Sequence, residues 1–448
     1  MNRKQRRALA TSKNPQDLSQ IADLHKKQGQ LGKAEQCYRE ALALDPRCYE
    51  AHNNLASILR DTGRLSEAKK HFSAAFDINP KDPVVVLNLA IVLAGEKRFS
   101  DAVPFHREAL ALNPSNAKAL SALAHTFTQM AEYSQAEHHY MEALKIDPLD
   151  FETRINLGLA LVDQGKIAKA FEQAEILSRA EAVAEFPHKA FGILLARVGC
   201  PDGAKLCFEK HLSCHPRDRD EIAMLLAAVG GALPTRATDE QISRLYGPRA
   251  HGWDEGAGGT SGYQGHQLIA AALVRLDAHR ADTVVDAGCG TGLVGELVRP
   301  HVRYLIGVDM SEPMLAQARQ KNVYDKLHCG DLIEYLKRHE RICDVITSAA
   351  TLIHFGKLDS IFEAVSRSLR PAGLFIFTVF PNDENPDAVE VATLTGLAQG
   401  GCFRHGADYI ARTAAEHGFA VELLSREVHE YTRNAPVSGL VVALRLPG

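Results

Sequence analysis

The sequence has no uninterrupted apolar run of the roughly 18 residues that a membrane-crossing helix needs, so no membrane partner is expected. No apolar stretch follows Arg3, Lys4, Arg6, Arg7 and Lys13 in the segment 1–14, which reads as a solvated basic tail and not as a signal peptide. Excess positive charge is also lacking: the net charge is −4, which offers nucleic acid no overall attraction. The nine cysteines are scattered without the pairing of a secreted scaffold, and read as reduced thiols in a cytoplasmic protein. What remains is ordinary globular composition, 46% hydrophobic and 24% charged, over 448 residues. That length calls for more than one core.

The first half carries a ladder. Pro46, Pro80, Pro114 and Pro148 stand 34 residues apart, and Pro216 falls two periods further on. Ala41, Ala75, Ala109 and Ala143 share one phase, and Ala34, Ala68, Ala102, Ala136, Ala170 and Ala204 a second. A third holds Ala22, Ala56, Ala90 and Ala124 and continues as Gly158 and Gly192. Small residues at fixed phases let two antiparallel helices per unit approach closely, and the proline ends the second helix. This is the pattern of tetratricopeptide repeats. About six units fit within 15–218, and such a solenoid implies a concave face for a protein partner. Cys207, His211, Cys214 and His215 lie on one helical face near its end. One straight helix cannot surround a metal tetrahedrally, so no metal site is expected there.

A linker helix and turn residues, Gly230, Gly231 and Pro234, occupy 219–236. From 237 to 448 the pattern changes. Helices are expected at 239–253 and 264–278, then strands at 283–287, 304–308, 326–329, 344–348 and 373–379 alternate with helices at 293–298, 313–321, 332–339 and 358–369. Such alternation predicts a mostly parallel α/β sheet of Rossmann-like type. A helix at 407–417 and strands at 420–427 and 439–446 predict a closing antiparallel hairpin, seven strands in all.

The chemistry gathers after the first strand, in Asp286-Ala287-Gly288-Cys289-Gly290-Thr291-Gly292. Glycine there lets the backbone turn sharply and meet a ligand without an intervening Cβ, at the strand ends where open α/β sheets bind ligands. Asp309 closes the second strand and can accept both hydroxyls of a ribose; Asp331 closes the third and can take an adenine amino group. Nicotinamide dehydrogenases share the loop and the ribose acid, but this spacing is G-x-G-x-G and not G-x-G-x-x-G. Asp331 and the terminal hairpin separate the two readings further.

With Gly307-Val308-Asp309-Met310-Ser311, Cys329-Gly330-Asp331-Leu332 and Leu369-Arg370-Pro371-Ala372-Gly373, the segment from about 237 onward resembles the class I S-adenosylmethionine-dependent methyltransferases. The tail, including Gly401-Cys402-Phe403-Arg404-His405 and Pro436-Val437-Ser438-Gly439, is similar to that of a bacterial group of predicted methyltransferases with amino-terminal tetratricopeptide repeats. The resemblance implies that S-adenosyl-L-methionine is held by Asp286, Gly288, Gly290, Gly292, Asp309, Met310, Asp331 and Leu332.

The Asn/Asp-Pro-Pro-aromatic tetrapeptide of nucleobase amino-methylases is absent after the fourth strand, which favours O- or N-methylation of a small molecule or peptide. His354, in that loop, is the best-placed general base. Arg404, His405, Tyr409 and Arg433 are polar residues of the variable lid region, suited to an anionic or hydroxylated acceptor. Tyr246, Trp253 and Tyr263 can cap the cofactor, an aromatic face suiting a sulfonium. Cys289 reads as a small packing residue. The competing reading is a repeat scaffold whose second domain binds the cofactor without turnover.

Overall fold

Alanine and glycine at fixed phases decide the packing of the first part of the chain. The computed structural model describes residues 14–179, 186–254, 262–278, 281–391, 402–432 and 435–448. It divides into two units, Met1–Cys200 and Pro201–Gly448. In the first, helices α1 (Pro15–Lys27) and α2 (Leu31–Leu44), α3 (Tyr49–Asp61) and α4 (Leu65–Ile78), α5 (Pro83–Gly95) and α6 (Phe99–Leu112), α7 (Ala117–Gln129) and α8 (Tyr133–Ile146), and α9 (Phe151–Asp163) and α10 (Ile167–Ser178) form five pairs, followed by α11 (His188–Arg197). Ala22, Ala56, Ala90 and Ala124, and Ala34, Ala68, Ala102 and Ala136, are all fully buried. At Gly158 a Cβ would stand 2.8 Å from the end of the Leu194 side chain, so the helices approach more closely here than at the alanines of the same phase.

The turn inside each pair repeats too. Gly29, Gly63, Gly165 and Gly199 adopt left-handed φ, and so do Lys97 and Ala131, which fall on the same 34-residue spacing. A side chain in that conformation costs roughly 1–2 kcal/mol, less the entropy that glycine loses on folding. Ala131→Gly is therefore expected to raise the urea midpoint of the repeat unit by the equivalent of about 0.5–1 kcal/mol. Gly165→Ala, whose new Cβ would meet nothing within 4 Å, should lower it by a similar amount. Midpoints moving the same way in both variants would refute the backbone explanation.

The second unit opens with α12 (Pro201–Cys214) and α13 (Arg219–Ala228). Among the described residues no group of three or more His, Cys, Asp and Glu is placed to hold a metal, and His211 Nε2 instead lies 2.9 Å from Asp218. Then come α14 (Asp239–Tyr246), started by a capping box between Thr238 and Gln241, and α15 (Gly265–Arg275). The expected helix over 239–253 stops at Tyr246 and continues as a 3-10 turn, Gly247–Gly252, because Pro248 removes an amide donor there.

Strands β1 (Thr283–Ala287), β2 (Tyr304–Asp309), β3 (Lys326–Cys329), β4 (Cys343–Ser348) and β5 (Leu369–Pro381) lie in the parallel order β3-β2-β1-β4-β5. Helices α16 (Leu293–Val298), α17 (Glu312–Lys321), α18 (Leu332–Lys337) and α19 (Asp359–Ser368) connect them. β1 is buried along its whole length, as a central parallel strand must be. Two strands were not foreseen: β6 (Val389–Val391) and β7 (Phe403–His405) extend the sheet where β7 pairs with the end of β5. Each has three residues, too few for an alternating pattern to register. After α20 (Ala407–Glu416), the hairpin of β8 (Ala420–Thr432) and β9 (Ala435–Arg445) closes the sheet, with β9 antiparallel between β5 and β8.

Candidate functional site

The carboxyl ends of β1 to β4 open onto one cleft. Its inner wall is the glycine loop, Asp309-Met310-Ser311, Gly330-Asp331-Leu332 and the segment from Ala349 to Phe355; its outer wall includes Arg236, Tyr246, Trp253, Tyr263 and His266. Gly288, Gly290 and Gly292 take φ of +76°, +53° and +93°. Their surroundings differ. A Cβ on Gly288 would fall 1.9 Å from Thr351 Oγ1, whereas one on Gly290 would meet nothing within 4 Å, so the loop is pressed against protein at one glycine and open at the next. Gly292 does not line the cleft; it starts α16.

Asp309 is fastened by backbone. Its Oδ2 accepts from Gly290 N and its Oδ1 from Ser311 N, both at 2.8 Å. Burial pushes its carboxyl up, against the pull of these amides. Each oxygen keeps a second lone pair. Asp331 lines the cleft as well, yet is more heavily engaged: it pairs with Arg236 and caps α18 by accepting from Glu334 N at 2.9 Å. Burial raises its carboxyl, but Arg236 and the cap outweigh burial and hold it below the usual range. Asp286, expected beside the cofactor, is not on the cleft wall. It is fully buried behind the loop, accepting from Tyr324 Oη at 2.7 Å and Thr347 Oγ1 at 3.1 Å, and burial pushes its carboxyl up to about 6. It braces the loop from behind. Met310 and Leu332 are on the wall.

His354 sits in the 3-10 turn Leu352–His354, 3% exposed, with Nε2 2.8 Å from the Tyr246 hydroxyl. Tyr246, Trp253 and Tyr263 form a chain of rings with centroids 5.4 and 6.1 Å apart. Cys289 is buried, and burial lifts its thiol well above the ordinary range, as suits a packing residue.

The lid residues are placed differently from expectation. His405 is fully buried, its Nε2 donating to Phe355 O at 2.8 Å, and burial pushes its imidazole down to about 4. Tyr409 accepts from Leu358 N through its hydroxyl and carries Arg412 over its ring. Arg404 lies 3.6 Å from Glu390 and 3.7 Å from Glu384. None of the three lines the cleft. The reason is β7, which draws Arg404 and His405 into the sheet. Arg433 lies outside the described residues.

Other wall residues carried no sequence signal. Arg236 is a lone cation in a turn, bonded to Asp239 at 3.1 Å besides Asp331. Ser311 Oγ and His266 Nδ1 are buried and have no hydrogen-bond partner among the described residues, although both residues line the cleft. Buried polar atoms are rarely left so without a ligand or water to meet them. The segment from Arg236 to Asp254 crosses the cleft, tied by Ala237 N to His354 O at 2.8 Å, by Tyr246 to His354 and by Asp254 to Thr291 and Lys321.

Residues 285–377 match the family model described as a methyltransferase domain, and residues 20–83 and 121–182 match that of the tetratricopeptide repeat. The malonyl-[acyl-carrier protein] O-methyltransferase of Yersinia pestis is 29% identical over 33% of this chain and 54% of its own. The dTDP-3-amino-3,6-dideoxy-alpha-D-glucopyranose N,N-dimethyltransferase of Streptomyces fradiae is 29% identical over 28% of this chain and 50% of its own. The chain spans about half the length of such curated relatives. Among solved structures, the Burkholderia thailandensis 1,6-didemethyltoxoflavin-N1-methyltransferase with bound S-adenosylhomocysteine is 19% identical, covering 48% of this chain and 93% of that one with a TM-score of 0.38. Pseudomonas aeruginosa pilF is 19% identical over 45% and 92%, also with a TM-score of 0.38.

Proposed function

We propose that this chain, which carries a methyltransferase domain together with tetratricopeptide repeats, binds S-adenosylmethionine in the cleft and transfers its methyl group to a small molecule or peptide. The observation that carries the reading is Asp309, fastened by two amides at the tip of β2 beside a glycine whose Cβ direction is open. Asp309 would hold the ribose through its remaining lone pairs. Met310, Ser311, Asp331 and Leu332 would enclose the adenine, with Ser311 Oγ gaining the partner that it lacks. Gly288 and Gly290 would back the methionine portion. When bound, the sulfonium supplies an electrophilic methyl carbon, and the chain's own part is to hold the acceptor in line with it and keep water out. The relatives that methylate oxygen and nitrogen support both kinds of acceptor. The repeat unit would bind a protein partner.

Isothermal titration of the full chain with S-adenosylmethionine and with S-adenosylhomocysteine tests this directly. Saturable binding of both is expected; no heat from either, with the far-ultraviolet spectrum intact, removes the reading.

A further inference from the structure

Helix α15 starts at the cleft wall without a cap. Its N-cap residue, Gln264, makes no side-chain cap bond. Gln267 N and Leu268 N turn back to Gln264 O at 2.9 and 3.0 Å, while Gly265 N and His266 N have no hydrogen-bond partner among the described residues. Uncapped amides and the helix dipole make such an end favourable for negative charge. A second, independent observation points to a ligand. His266, the second residue of the helix, lines the cleft together with the glycine loop and is 9% exposed. Its Nδ1 is buried and has no hydrogen-bond partner among the described residues. Tyr263 holds the ring in place, stacked on it with centroids 5.5 Å apart and planes 26° apart. A bare ring nitrogen can serve a cation as acceptor or, carrying its proton, an anion as donor. The helix end decides for the anion, because its positive pole opposes a cation. The charged groups facing His266 are Lys321, Asp254 and Glu296. Lys321 pairs with both acids, at 2.7 and 2.6 Å, and their side chains are 41% and 46% exposed, so water screens the charge left over.

We propose that His266 and the first turn of α15 bind a carboxylate, with Nδ1 protonated and donating to it. This rests on the S-adenosylmethionine reading above. Two carboxylates fit the chemistry: that of the cofactor's methionine portion, and one carried by the methyl acceptor. In the first case the site anchors the methionine arm, and through it the sulfur, against the glycine loop. In the second it orients the acceptor's nucleophilic atom. Either way His266 is a binding residue and takes no part in proton transfer. A charge-assisted bond to a buried, stacked ring is directional, so the ligand is aligned as well as held.

The test uses the full chain with methylthioadenosine, which lacks the amino-acid portion, in the cleft. Acetate is titrated at constant ionic strength and followed by the imidazole resonances of His266, identified by their loss in His266→Phe. A saturable shift is expected. If S-adenosylhomocysteine in place of methylthioadenosine abolishes the shift, the carboxylate is the cofactor's own; if the shift survives, it is the acceptor's. In the first case His266→Phe should weaken S-adenosylhomocysteine about tenfold and leave methylthioadenosine unchanged. His266→Gln, which keeps a donor, should lose less, and retained methylthioadenosine binding shows that both variants fold. The proposal is overturned if acetate moves the imidazole with neither nucleoside. It is also overturned if S-adenosylhomocysteine abolishes the shift and yet binds His266→Phe as tightly as the unaltered chain. Failure of both nucleosides to bind the unaltered chain would instead overturn the function proposed above.

Discussion

Gly288→Ala is expected to abolish S-adenosylmethionine binding and to destabilise the second unit by about 2–4 kcal/mol, the upper range for overpacking. Two costs coincide at this position. The backbone sits at φ +76°, where an L side chain is strained, and the new Cβ would lie 1.9 Å from Thr351 Oγ1 and 2.7 Å from Thr351 Cβ. Thr351 has little freedom to withdraw. It follows Ala350, itself held at φ +57° and anchored by its amide to Thr378 Oγ1 at 2.9 Å. Relief must come from the glycine loop, which would shift toward the cleft and away from its bonds to Val308 O. Urea unfolding and titration of the variant check this. The double variant Gly288→Ala with Thr351→Gly separates the causes, since it removes the collision and keeps the strain. Partial recovery of stability is expected; a double variant no better than the single one would show that backbone strain alone is responsible.

Asp309→Asn should weaken S-adenosylmethionine at least a hundredfold, about 3 kcal/mol. An ionised carboxylate accepts from Gly290 N and Ser311 N at once and still offers lone pairs to a ribose. An amide cannot do this. Its oxygen can satisfy one backbone donor, but its NH₂ then faces the other, leaving a buried donor opposed to a donor. Asp331→Asn should weaken the cofactor less, since Arg236 and the cap of α18 already engage that side chain. Calorimetry on both variants decides the ranking. If Asp331→Asn costs as much as Asp309→Asn, the ligand depends on the third strand as much as on the second, and the ranking fails.

Much of this was readable from residues because it follows from periodicity. The 34-residue ladder fixed five helix pairs, since buried alanines cannot drift in phase without opening the packing. The bounds of β1 and β3 match residue for residue, each being a short run closed by turn residues. The site divided along a different line. Asp309 was legible because a strand end and a carboxylate coincide. Asp286 misled for the same reason: its position resembles that of a ligand acid, and only the packing of Tyr324 and Thr347 shows which way it turns. Arg236 was invisible, because it reaches Asp331 across 95 residues of chain and no local pattern records that pairing. Arg404 and His405 were read as lid residues because a three-residue strand gives no alternation to read.

The strand order bears on how the second unit comes into being. β9, with Val442, Ala443 and Leu444 fully buried, fills the position beside β5, so the central sheet is sealed by a segment synthesised long after the strand it covers. While translation proceeds from β5 to β9, Phe375, Ile376 and Phe377 present an unpaired edge. Such an edge is a template for pairing with other chains. The nascent protein therefore passes through an interval in which the apolar stretch Phe375–Phe377 is open on one side.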